Sequence, residues 1–425
     1  MPAPPWRWPA QPWRWSLSGF SQDQNMELKA AAGSVIITPE ENLLMGGFSP
    51  NRMALGTYDN LYARCLVLEK SGERLVFVSA DLLGLIRYDV LLIKKELAEK
   101  HSIKPEGVFI FSTHQHSGPD TIGLWGRIPL ATNGRNEKYM EKVRKNIARL
   151  AADTVKTTEP AILKISKTES DGFSKNSRES ELLDKDIFVL SVRGKHKQIA
   201  TVVNFGCHPE ALSRSNRFVS SDYPGYLCKR LEKELGGTAI FINGILGGMI
   251  TPNTGILRRP EYNPLKIKYD NVKKCEAMGN ILAEWAIKSI PNAKPLENSW
   301  KVTTQKIEVP LENHAFKLAS KHGIIPKSEG TARDWNVITE VSVIDFGNAK
   351  MLLVPGEILP KLGLEIKKMF NAEYVMMFCL ANDEIGYVIH PDDWPRDLYK
   401  YERSMSVGPE AGKRVREAFK QMAVR

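Results

Sequence analysis

Eight histidines occur in 425 residues, and two of them stand two apart within residues 108–120, VFIFSTHQHSGPD. The apolar run Val108-Phe109-Ile110-Phe111 reads as a strand, and Ser117-Gly118-Pro119 turns the chain directly after His114 and His116. On an extended segment residues i and i+2 point the same way, so both imidazoles can address one site at the strand's end. Such a pair suits a metal, though an HxH alone fits two core or surface histidines as well.

Three more strand ends carry chemistry-bearing side chains. The apolar run 199–205 ends in Gly206-Cys207-His208-Pro209, the run 349–354 in Pro355-Gly356-Glu357, and the run 374–380 leads to Tyr387. Singly, each has an ordinary role: Cys207 as a buried inert thiol, Glu357 favouring a helix start, Tyr387 as a packing residue. Jointly, two histidines, a carboxylate and an oxygen donor suit zinc, which activates water and polarises a carbonyl. A phenolate ligand would need the cation's charge to form, since the free phenol ionises near ~10.

The elements that must position these residues read as alternating strands and helices. Strands are expected at 33–39, 61–68, 74–79, 108–111, 162–166, 187–192, 199–205, 239–243, 303–309, 337–345, 349–354 and 374–380. Helices are expected at 90–101, 137–154, 222–235, 270–287, 358–370 and from about 409. Residues 167–181, containing Asn176-Ser177-Arg178, read as a polar loop, and 311–331 as a variable polar region. The glycine-rich run 244–253 allows close backbone approach but matches neither a phosphate-binding loop nor a dinucleotide fingerprint, and Thr251 within it reads as a turn residue. This is an α/β pattern of mixed β-sheets flanked by helices, with the metal site at strand ends.

Composition bounds the function classes. With 42% hydrophobic and 25% charged residues and no apolar run of membrane-spanning length, the chain reads as a soluble globular protein. The net charge of +10 is scattered, and no arginine stripe or nucleic-acid module accompanies it. Five widely spaced cysteines make no disulfide framework. Residues 1–25 hold four of the nine tryptophans without a clean apolar core and cleavage site, so they read as an unstructured leader or a start-site artefact preceding Met26. That favours a cytoplasmic chain over a secreted one.

These stretches together resemble the neutral, non-lysosomal ceramidase family. Thr113-His114-Gln115-His116-Ser117-Gly118-Pro119 is similar to its THTHSGP motif. Asn204 to Pro209 with Ser221-Asp222-Tyr223-Pro224-Gly225-Tyr226 is similar to its HP and SDN.GY stretch, and Val354-Pro355-Gly356-Glu357 to its VPGE. Leu380-Ala381-Asn382 through Tyr387-Val388 resembles its last, tyrosine-bearing motif. The resemblance implies Zn2+ held by His114, His208, Glu357 and Tyr387. His116 then acts beside the metal as proton donor or transition-state stabiliser, Arg178 contacts substrate, and Tyr399 or Tyr401 hydrogen-bonds the developing oxyanion. The implied reaction is hydrolysis of the amide bond of a ceramide-like N-acyl lipid by metal-activated water.

Three departures bear on the substrate. Gly248-Met249-Ile250-Thr251-Pro252-Asn253 stands where the family has GDVSPN, so Thr251 keeps the hydroxyl but Met249 removes the acid. The C-terminal β-sandwich domain of the family is not expected, leaving residues 26–425 as one catalytic domain, and several intervening segments are shorter. Other acyl amides, esters or lactones are therefore alternative substrates. A metal-independent hydrolase using Thr251, and a non-catalytic lipid- or glycan-binding domain, are the alternatives of different class.

Overall fold

The computed structural model describes residues 28–127, 132–263, 270–326 and 335–424. The expectation for residues 1–25 lies outside them. The first half of the chain runs β1 (Lys29–Ile36), β2 (Tyr62–Lys70), β3 (Glu73–Ala80), α1 (Arg87–His101), β4 (Val108–Ser112), α2 (Glu137–Val155), β5 (Glu159–Glu169), β6 (Ser174–Asn176), β7 (Asp186–Gly194), β8 (Gln198–Phe205), α3 (Asp222–Leu235), β9 (Thr238–Asn243) and β10 (Ile250–Pro252). The second half runs α4 (Asn271–Ser289), β11 (Lys294–Pro295), β12 (Lys301–Pro310), α5 (His314–Lys321), β13 (Asn336–Asp345), β14 (Ala349–Leu353), β15 (Glu357–Ile358), α6 (Pro360–Lys367), β16 (Tyr374–Phe378), β17 (Tyr387–Val388), α7 (Lys400–Ser404) and α8 (Glu410–Ala423).

The larger sheet has the order β4-β3-β2-β1-β5-β7-β8-β9, with β11 added beside β5. Only its outer pairs, β3 with β4 and β8 with β9, are parallel. Those are the strands whose C-terminal ends carry His114 and His208. The two halves of the sheet are joined by a short pairing of β1 with β5 and face each other: Ser79 Oγ of β3 donates to the Phe241 carbonyl of β9 at 2.6 Å. Apolar side chains such as Leu66, Phe77, Leu190, Val202 and Ile240 fill the space between them. Buried on every residue, β4 reads as the unbroken apolar run of a strand covered on both faces.

A second sheet, β12-β13-β14-β16, packs β16 onto this core and is closed on its other side by α6 and α8. Its attachment is specific. The amide of Asn204 donates to the Met377 carbonyl at 2.9 Å, and the Cys379 N–H donates to the Asn243 carbonyl at 3.0 Å. Past β16, Asn382 adopts φ +60° and pairs with the free edge of β4. Its N–H donates to the Ile110 carbonyl at 2.8 Å, and its side-chain oxygen accepts from the Ile110 N–H at 2.9 Å. That edge contact carries the segment leading to Tyr387 across to the histidines. Two expectations are corrected. The polar stretch 167–181 contains β6, which pairs with β10 and so gives Thr251 a strand position instead of a turn. The region 311–331 contains α5, capped by Asn313, whose side chain accepts from the Ala315 and Phe316 N–H groups.

Candidate metal centre

The strand β4 stops at Ser112, and His114 takes φ +60°, so the two histidines do not hang from an extended segment. Backbone bonds fix the turn: Thr113 N–H to the Ala80 carbonyl and His114 N–H to the Leu82 carbonyl, both at 2.9 Å. The imidazoles still converge, with ring centroids of His114 and His116 4.9 Å apart. A non-glycine residue held in the left-handed region stores strain that the surroundings must overdetermine. Close packing does so here. A Cβ on Gly47, itself at φ +94°, would lie 2.5 Å from Cγ of His116, so only glycine lets this ring in.

His208 completes a triangle, its ring centroid 5.1 Å from that of His114 and 5.5 Å from that of His116. The ligating nitrogens of the three buried rings lie within 4.8 Å of one another. Orientation follows from the far side of each ring. Nδ1 of His114 lies 2.7 Å from the Leu83 carbonyl, and Nδ1 of His208 lies 2.9 Å from the Ile250 carbonyl. A carbonyl can only accept, so each Nδ1 carries the proton and, in the neutral ring, each Nε2 keeps a lone pair. Both Nε2 atoms face one carboxylate oxygen, Oε2 of Glu357, at 3.4 Å from His114 and 2.9 Å from His208, where a proton on a ring or a shared cation must lie between nitrogen and oxygen.

Glu357 is delivered by a two-residue parallel pairing in which Glu357 faces Tyr387. Burial opposes the Glu357 charge, yet the imidazoles of His114 and His208 outweigh it and hold the carboxyl well below its usual range. Burial likewise opposes a charge on His114, and the Glu357 carboxylate reverses the balance upward. Tyr387 is buried, and burial followed by the Glu357 charge pushes its phenol well above the ordinary value. Such a phenol gives up its proton only to a strong local positive charge.

These donors fit a divalent cation. Two imidazole lone pairs and a carboxylate oxygen separated by 2.9 and 3.4 Å form edges of the size found between neighbouring ligands at four-coordinate zinc, about 3.3 Å for bonds of ~2 Å. His116 adds an orphan: neither of its ring nitrogens has a hydrogen-bond partner although both are shielded from solvent. Burial depresses its pKa to about 4, so the ring is neutral near pH 7. The nearest carboxylate is Glu210, 3.5 Å from Nδ1. The Arg52 guanidinium donates to the His116 carbonyl and holds that strand of backbone from below the ring of Phe48.

A largely apolar cavity opens beside the centre, lined by His114, His116, Glu357 and Tyr387 together with Leu83, Ile122, Trp125, Phe316 and Met405. Tyr401 lines it as well, its ring 6.1 Å from that of Tyr387, and burial raises its phenol to about 12. Tyr399 does not line the cavity; its hydroxyl donates to Glu179. Arg178 is clamped by Glu402, with Nε 2.7 Å from Oε1 and a second contact at 3.3 Å. Thr251 pairs across the ladder with exposed Lys175, so its side chain shares that outward face while Ile250 turns inward. Its backbone neighbour, the Ile250 carbonyl, is the group that anchors His208. Sequence reasoning missed Glu210, Arg52 and Glu384. Glu210 stands two residues after His208, a spacing that could have marked it; Arg52 and Glu384 reach the site only through the tertiary fold.

Comparison with known proteins identifies the family. Residues 32–258, more than half of the chain, match the family described as neutral/alkaline non-lysosomal ceramidase, N-terminal. Neutral ceramidase from Pseudomonas aeruginosa is 26% identical over 284 residues, covering 61% of this chain and 42% of that protein. Neutral ceramidase A from Dictyostelium discoideum is 22% identical over 262 residues, covering 55% of this chain and 37% of that protein. The match thus spans less than half the length of these relatives. The crystal structure of the Pseudomonas aeruginosa neutral ceramidase superposes with a TM-score of 0.78 at 18% identity, over 94% of this chain and 74% of that one, which shows a shared fold. The chain belongs to the neutral/alkaline non-lysosomal ceramidase family.

Proposed function

We propose that this chain is a metal-dependent hydrolase that cleaves the amide bond of a ceramide-like N-acyl lipid. The observation carrying the proposal is the convergence of Nε2 of His114 and Nε2 of His208 on one Glu357 oxygen, 3.4 and 2.9 Å away, at the edge of an apolar cavity. His114, His208, Glu357 and Tyr387 would hold the cation. When bound, zinc supplies Lewis acidity that activates water and polarises an acyl carbonyl.

The remaining steps belong to the chain's own residues. Neutral His116, with its ring nitrogens unclaimed, takes a proton from the attacking water and passes it to the leaving nitrogen. The Tyr401 hydroxyl at the cavity wall donates to the oxygen on which charge develops. Leu83, Ile122, Trp125 and Phe316 accept hydrocarbon and exclude water from the reacting bond. Arg178 is engaged by Glu402 through a bidentate pair and is not among the residues lining the cavity, so a contact with substrate would require it to leave that pair.

Among the described residues no helix is long and apolar enough to cross a membrane. The test is product formation. Purified protein supplied with zinc and a short-chain ceramide is expected to release fatty acid and sphingoid base in equal amounts, and a chelator is expected to stop it. Turnover of acyl esters or lactones alone would move the assignment to those substrates, and chelator-insensitive turnover would end the metal reading.

A further inference from the structure

The cavity wall carries a carboxyl that the proposed reaction leaves unused. Glu384 lies three residues before Tyr387, among Ile86, Ile122 and Ile385. Its Oε1 accepts from the Gly386 N–H at 3.0 Å and so closes the turn that leads into β17. Its Oε2 is shielded from solvent and has no hydrogen-bond partner. The stem is fixed in place. A Cβ on Gly84 would lie 2.9 Å from Cγ of Glu384 and 3.1 Å from Cδ1 of Ile122, so Gly84 makes the space that Glu384 occupies.

The adjacent Asp383 likewise bonds through one oxygen only, its Oδ2 being shielded and without a hydrogen-bond partner like Oε2 of Glu384, but its bonded oxygen serves two elements of the fold. Its Oδ1 accepts from the Arg87 N–H at 2.7 Å and the Glu384 N–H at 2.8 Å, which starts α1 and shapes the turn. For Glu384 the turn requires one acceptor, and an amide side chain would provide it. The second oxygen is surplus to the fold, and a shielded polar atom without a partner is costly unless a bound group pairs with it. We propose that Glu384 is a specificity-determining residue whose Oε2 takes a hydroxyl on the amine fragment of the substrate, so that the cavity selects an N-acyl amino alcohol over the deoxy counterpart.

A hydroxyl suits the place better than an ammonium group does. An ammonium brings a charge and three donors that must all be satisfied, whereas a hydroxyl needs the one acceptor that Glu384 offers among apolar Ile86, Ile122 and Ile385. The amine fragment is the part concerned because its hydroxyls lie close to the amide, whereas a fatty acyl chain is hydrocarbon beyond its carbonyl. This inference rests on the reading of the site as an N-acyl hydrolase.

The experiment pairs a short-chain N-acyl amino alcohol with the analogue in which hydrogen replaces that hydroxyl. Calorimetric binding to zinc-loaded protein is measured for both, alongside kcat and KM. Wild type is expected to bind the alcohol about tenfold more tightly, the worth of one good hydrogen bond. Glu384→Leu is expected to bring the two within about threefold, with the loss falling on the alcohol's Kd and KM; Glu384→Gln, which can still pair with a hydroxyl, is expected to keep most of the preference. An equal ratio in wild type and Glu384→Leu overturns the inference, as does tighter binding of the corresponding amine. If Glu384→Leu fails to fold, loss of preference must appear in Glu384→Ala or the inference falls. Hydrolysis of both amides with no binding preference leaves the hydrolase reading standing and removes this one; a preference without hydrolysis does the reverse.

Discussion

His208 and Glu357 are separated by 149 positions in the chain, yet Nε2 of one lies 2.9 Å from Oε2 of the other. The contact is made by two strand ends from different sheets, and neither ring nor carboxylate is free to turn away. The Ile250 carbonyl holds the His208 ring by Nδ1, and the Gly386 carbonyl accepts the Glu357 N–H at 3.0 Å. A donor set built this rigidly is prepared before any ion arrives, which is what a resident metal site requires.

The space for His116 depends on a single missing side chain. Gly47→Ala places a methyl 2.5 Å from Cγ of His116 and on a backbone at φ +94°. The variant is expected to lose roughly 1–3 kcal/mol of stability and to fall at least about tenfold in rate, because a displaced acid–base group costs catalysis steeply. Chemical denaturation and steady-state kinetics measure the two effects. Wild-type activity in a folded Gly47→Ala protein would remove His116 from the reaction.

Two tyrosines that the sequence left unresolved are separated by the fold. Tyr401 lines the cavity and Tyr399 is bonded to Glu179. Tyr401→Phe is expected to lower kcat by about a hundredfold, the usual worth of one donor at a developing oxyanion, while Tyr399→Phe stays within about threefold. The reverse ranking in a kcat comparison would reassign the donor.

Thr251, expected from the resemblance of residues 248–253 to the family's GDVSPN loop to stand in place of its serine, lies on the same face of the β6–β10 ladder as exposed Lys175. Thr251→Ala is expected to retain its metal and to keep its rate within about threefold, since the anchoring group for His208 is the neighbouring backbone carbonyl. Metal content and kcat on the same preparation test this. A loss beyond a hundredfold with metal retained would put the hydroxyl into the mechanism.

Fold and site were legible to different depths. The run VFIFS announced a buried strand, and the turn residues after His116 and His208 announced where strands end, because burial on both faces and chain reversal are written locally. The short ladder of β6 with β10 was not legible, since three residues carry no periodicity and the partner lies far along the chain. Helix α5 was hidden in a polar region because it is short and its apolar residues are split, Phe316 facing the cavity and Leu318 lying exposed. For the site, residue type marked His114, His116, His208, Glu357 and Tyr387 as donors. Glu210 had only its spacing from His208 to mark it, and Arg52 and Glu384 were invisible for a different reason: a charged residue reads as surface until the fold buries it against something.

Asp222 ties pH to the loop that carries His208. In a left-handed conformation (φ +54°), its carboxylate accepts from the Ala211 and Leu212 N–H groups, each at 3.0 Å. Burial raises its pKa to about 6, the three backbone N–H bonds offsetting only part of the penalty. Because the folded value exceeds the unfolded one, its contribution to stability is full below about pH 4 and is lost as pH rises through about 6. Relative to Asp222→Asn, wild type is therefore expected to lose about 2 kcal/mol between pH 4 and pH 7. Denaturant titrations of both proteins at the two pH values give the double difference, and a difference independent of pH would contradict the account.

The central claim is that one divalent cation is held between His114, His208 and Glu357, with Tyr387 beside it. Anomalous diffraction recorded on either side of the zinc absorption edge, from crystals of catalytically active protein, tests it most directly. The account predicts a single strong peak within coordination distance of Nε2 of His114, Nε2 of His208 and the Glu357 carboxylate. Active crystals with no peak at that position, or with the ion bound elsewhere, would contradict it.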